Sequence, residues 1–141
     1  SLIFARWVIQ YQGRLHYIDP IVNAFAHSAN SMQEKSSLRS LVELMNMVVD
    51  ACADDIKHDL DNSNLYRPWR LLHINRGIVA TRTYDIEIMR KVFDELNLYL
   101  PQEAASFFAE GMEEMDEQDY PPNVRRIIEE YYLHLPKIQL H

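Results

Sequence analysis

The amino-acid sequence predicts an all-α fold: a single irregular bundle of about seven helices, forming one helical domain over residues 1–141. Three observations carry this reading. Apolar residues recur every third or fourth position through nearly the whole chain, the spacing that lines one face of a helix. The six prolines punctuate that pattern, five at expected helix starts and Pro136 at an expected stop. No segment alternates apolar and polar residues for long enough to build a sheet.

The first expected helix runs from Leu2 to about Gln12 and ends at Gly13. The second opens at Asp19-Pro20, a capping carboxylate followed by proline, and carries Ile21, Phe25, Ala29 and Met32. A central helix comes next over 37–60, with Ser36 or Ser37 as cap and a stripe through Leu38, Leu41/Val42, Met45, Val48/Val49, Cys52, Ile56 and Leu60. Asp61-Asn-Ser-Asn64 is its polar stop.

Pro68 opens another helix, through Trp69, Leu72, Ile74 and Val79, with Gly77 inside it. Thr81 to Asp85 reads as a joint, with Thr83 or Asp85 as the cap of the helix beyond it. Ile86, Met89, Val92/Phe93, Leu96 and Leu100 form a further stripe, with Glu87 and Lys91 spaced to pair on its outer side. Pro101 ends that helix and starts another, through Ala104/Ala105, Phe108, Met112 and Met115. Pro121-Pro122 breaks the chain once more before Val124, Ile127/Ile128, Tyr131 and Leu135. Ala104-x3-Phe108 resembles one helix pair of the tetratricopeptide repeats, but the helix lengths are unequal and the period does not return.

Composition excludes several function classes. Three glycines (Gly13, Gly77 and Gly111) cannot write a GxGxxG or Walker A loop, where backbone must approach phosphate closely. The single cysteine, Cys52, excludes a disulfide framework, a CxxC pair and Cys-rich metal sites. It falls on the apolar stripe among acids, the reverse of the basic setting that activates a thiol, so it reads as a core residue. No apolar run reaches membrane-spanning length, and no small-residue cleavage site lies after the apolar start, so no signal peptide is expected. With one cysteine, the expected setting is the reducing cytoplasm. Ser1 fits initiator-methionine removal, a tag remnant or a domain cut from a longer protein.

The net charge of −7 argues against nucleic-acid or anionic-membrane binding, whose footprint is basic. Its distribution is uneven. Asp50 to Asp61 holds five aspartates against Lys57, and Glu103 to Asp119 holds seven acids and no base. Between them, Arg67, Arg70, Arg76 and Arg82 stand without an acid among them.

That arginine segment is the leading site candidate. As a helix it places Trp69, His73, Arg76 and Ala80 on one edge, with Arg70 and Gly77 adjoining. Arg70, His73, Asn75, Arg76 and Arg82 form a candidate ligand set, because guanidinium, imidazole and amide donors beside a glycine suit a phosphate or carboxylate. The plainer and favoured reading pairs these arginines with the two acidic runs and locks the bundle; a partner surface is the third. Asp54, Asp55 and His58 share one side of the central helix, and His58-Asp59 resembles the dipeptide of the all-α, metal-dependent HD phosphohydrolases. Composition alone yields that dipeptide roughly 0.4 times. His27, His58 and Asp59 are therefore weak metal candidates beside a solvated acidic face. Glu-x-x-His pairs are missing, which argues against a di-iron centre.

The expected function is a non-enzymatic helical module that binds a protein partner or a second copy of itself, without a cofactor. The alternatives are a domain that binds a small anionic ligand through the arginine segment and, more weakly, a metal-dependent hydrolase. The Tyr131-Tyr132 pair, one ring in and one out, is a possible edge for self-association.

Overall fold

A computed structural model describes residues 19–52 and 68–134. Of these residues 87% are helical, in six helices with no strand among them. The expected all-α architecture is what the chain adopts. The seventh helix, over 2–12, lies outside the described residues.

The helices are α1 (Asp19–Ser31), α2 (Lys35–Ala51), α3 (Pro68–Arg82), α4 (Ile86–Tyr99), α5 (Pro101–Glu117) and α6 (Pro122–Leu133). None is long and apolar enough to cross a membrane. The chain divides into two compact units, Ser1–Val79 and Ala80–His141.

In the first unit α1 packs on α2. Val22, Phe25 and Ala29 turn inward from α1, and the predicted stripe of α2 is buried, widened by Leu44. Two boundaries of α2 differ from expectation. It starts at Lys35 with Glu34 extended before it, so Ser36 and Ser37 sit inside the first turn rather than capping it. It ends at Ala51, because Cys52 is extended (φ −63°, ψ 138°). No glycine or proline marks that stop, so the continuous helix expected over 37–60 is not formed. Cys52 is nonetheless fully buried, as its place in the stripe implied.

The second unit contains three helices in an up-down-up arrangement. Leu100 is both the last cap of α4 and the first of α5, so the two form a tight antiparallel pair at Pro101. The register of α5 against α6 is also antiparallel: Phe108 meets Tyr131, Gly111 meets Ile128, and Arg125 donates to the Met115 carbonyl. Consequently α4 and α6 run in the same direction, with Phe93 beside Tyr131 at 5.2 Å between ring centroids. Phe93, Phe107, Phe108 and Tyr131 form an aromatic cluster with centroids 5.1–5.8 Å apart, within the range where edge-to-face rings attract. Gly111 allows a close approach of α5 to α6, since a Cβ there would sit 3.3 Å from Cγ2 of Ile128.

At the joint between α3 and α4, Asp85 is the cap of the two candidates, and Thr83 holds the turn before it. Asp85 accepts from the amides of Glu87 and Ile88 at 3.1 and 3.3 Å and so caps α4. Thr83 donates to the Ala80 carbonyl at 2.6 Å and accepts from the Asp85 amide. Tyr84 between them holds φ at 59°, a left-handed conformation that no glycine announced.

Candidate functional site

The arginine segment forms most of α3, and the edge drawn from sequence is its buried edge. Trp69, His73, Arg76 and Ala80 are each 1% exposed or less. An arginine so deeply buried needs hydrogen-bond acceptors close by, because its charge cannot be shed. Nη1 of Arg76 donates to Oδ1 of Asn46 on α2 at 2.9 Å, tying α3 to α2. Nη2 lies 3.4 Å from Nδ1 of His73, one turn back along α3. The imidazole in turn stands edge-on to Trp69, with centroids 4.1 Å apart and planes at 79°.

The electrostatics stem from this enclosure. Burial, and then the adjacent Arg76 charge, push the His73 pKa down to about 3 from its ordinary 6.5. His73 is therefore neutral at physiological pH and serves as an acceptor for the guanidinium.

Of the five candidate ligand residues, the structure brings His73 and Arg76 together inside the fold. Arg70, Asn75 and Arg82 are each partly exposed on other sides of α3. Helical spacing alone does not single out Asn46. Its signal is a polar residue set between Met45 and Met47 at the margin of a strongly apolar stripe.

The metal candidates are not assembled by what is described. His27 is exposed on α1, whereas His58 and Asp59 lie outside the described residues. Among the described residues, no three His, Cys, Asp or Glu side chains converge on a point that could hold a metal ion. Of the seven acids from Glu103 to Asp119, all but Glu103 are exposed.

A second feature lies at one end of the three-helix unit. Leu98 and Leu133 are 70% and 64% exposed, and beside them in sequence Tyr99 and Tyr132 are also exposed. Because α4 and α6 run in parallel, both pairs fall at the end where α4 turns into α5. Tyr131 faces inward and donates to Oδ1 of Asp94 at 2.6 Å, while Arg90 and Glu130 pair at 3.0 Å across the same seam. The inward and outward tyrosines are arranged as their adjacent positions implied.

The described residues define an all-α helical protein in which Trp69, His73 and Arg76 are part of the interior. Compared with protein-family models, curated proteins and solved structures, the chain matches none.

Proposed function

We propose that this chain is a non-enzymatic helical module of the cytoplasm that binds a protein partner through the α4/α6 end of its second unit. One observation carries the reading: Leu98 and Leu133, at 70% and 64%, are the most exposed of the large apolar residues described, and both lie at the same end of the unit. Single exposed apolar residues are ordinary, but paired ones on neighbouring helices form the kind of surface that partners cover. The alternative of an anion site draws less support, because Arg76 and His73 already spend hydrogen-bonding capacity inside the fold.

Two measurements test this. Immobilised wild-type chain is expected to retain a discrete protein from cell extract that a Leu98→Ser/Leu133→Ser chain does not retain. Equal retention by both chains counts against the module. So does a melting temperature raised by phosphate, nucleotides or simple carboxylates, which would favour the ligand reading.

A further inference from the structure

We infer that the surface at the α4/α6 end docks a basic amphipathic helix of a partner protein, an inference that rests on the module reading above. Charge is the first argument. Residues 80–141 hold six Lys and Arg against thirteen Asp and Glu, whereas residues 1–79 hold eight of each. The whole net charge of −7 therefore belongs to the unit that carries the exposed leucines.

Among the described residues around the two leucines the sign is also negative. Asp94 and Glu95 precede Leu98 by about one turn, and Glu129 and Glu130 immediately precede the Tyr131-Tyr132-Leu133 run. Arg90 offsets Glu130, and Asp94 receives the Tyr131 hydroxyl, but both carboxylates stay at the surface. Both α4 and α6 present their C-terminal ends here, and neither has a basic residue in its last turn. Helix C-termini carry partial negative charge; the α5 N-terminus at the Leu100 turn offsets that of α4, and that of α6 adds to the side chains. An apolar surface in such a field suits a partner whose apolar anchors are flanked by Lys or Arg, and repels an acidic one.

Spacing is the second argument. Neighbouring helices lie about 8–10 Å apart, close to the ~10.5 Å rise of seven residues in a helix. A partner helix crossing the end can therefore set one anchor on Leu98 and another, two turns on, at Leu133. Anchors at i, i+3 or i+4, and i+7 are how an amphipathic helix occupies an apolar surface.

The experiment titrates the full chain with three fluorescent model peptides: an amphipathic Leu/Lys helix, its scramble without an apolar face, and a Leu/Glu counterpart. The Leu/Lys peptide is expected to bind, and the scramble to bind at least about tenfold more weakly. Leu98→Ser/Leu133→Ser should weaken the Leu/Lys peptide by a similar factor, with an unchanged helical circular dichroism spectrum. Glu113→Gln/Glu117→Gln, near the far end of α5, should change it less than about twofold. Binding that depends on Glu113 and Glu117 but not on the leucines overturns the proposed surface. Preference for the Leu/Glu peptide, or self-association lost with the two leucines, overturns the basic partner while the module reading stands. If neither amphipathic peptide binds, and wild type and leucine variant are equally monodisperse, both readings fall.

Discussion

Arg76 turns Nη2 toward Nδ1 of His73, 3.4 Å away and one turn earlier on the same buried edge of α3. Arginine has donors only, so Nδ1 must be the acceptor, which assigns the imidazole proton to Nε2. A buried cation thus leans on a neutral base, and the pair is sensitive to acid in one direction only.

Stability is expected to fall as pH drops below about 6.5. In the unfolded chain His73 takes up a proton near its ordinary 6.5, whereas the folded protein refuses it until about 3. The stabilisation is therefore complete above 6.5 and is lost progressively toward 3, at no more than about 1.4 kcal/mol per pH unit. Urea titrations of wild type and His73→Gln at neutral and mildly acid pH check this. The variant should show the shallower loss, and equal slopes would mean that His73 is not held neutral.

Replacing Arg76 should be among the more damaging single changes. Arg76→Ala empties a fully buried volume and removes the donor to Asn46, so a loss of about 2–5 kcal/mol is expected. Arg76→Lys keeps the charge but not the planar fork, and should fall between the two. A loss under about 1 kcal/mol for Arg76→Ala in denaturant would show that this contact does little to hold α3 on α2.

Capping and close packing give two smaller effects in the second unit. Asp85→Ala should cost about 1 kcal/mol, because two amides of α4 lose their acceptor. Gly111→Leu should cost about 1–3 kcal/mol, since even a Cβ would press on the buried Ile128. Thermal melts of both variants decide the matter. If Gly111→Leu proves neutral, α5 and α6 are less closely packed than the 3.3 Å approach implies.

Much of this fold was legible because its punctuation is local. Pro68, Pro101 and Pro122 fix helix starts by chemistry that needs no tertiary contact, and Asp85 does so through its own side chain. Two boundaries were not legible. The end of α2 at Ala51 has no breaker, and Tyr84 adopts positive φ without the glycine that would signal it. Neither follows from the local residue preferences that mark the other boundaries. The site was legible in part: helical spacing put Trp69, His73 and Arg76 on one edge, but periodicity cannot say whether an edge faces ligand, partner or core. Asn46 and the exposed ends of α4 and α6 depend on which helices meet, and a single sequence does not state that.

Tyr131 supplies the last test, because its ring is shared by all three helices of the second unit. Its phenol is pushed up to about 12 from 10.0, first by partial burial and then by donation to Asp94 and that carboxylate's charge, with Arg90 pulling the other way. A folded pKa above the unfolded one means that the stabilisation is complete below pH 10 and disappears as pH rises through 12. Absorbance titration of tyrosinate in wild type, with Tyr131→Phe subtracted, should isolate one phenol ionising well after the ordinary tyrosines. Asp94→Asn should bring that step down, since it removes the charge while leaving an acceptor. If the subtracted step already sits near 10 in wild type, the 2.6 Å bond from Tyr131 to Asp94 does not persist in solution, and the α4/α6 seam is held without it, by the aromatic cluster and the Arg90–Glu130 pair.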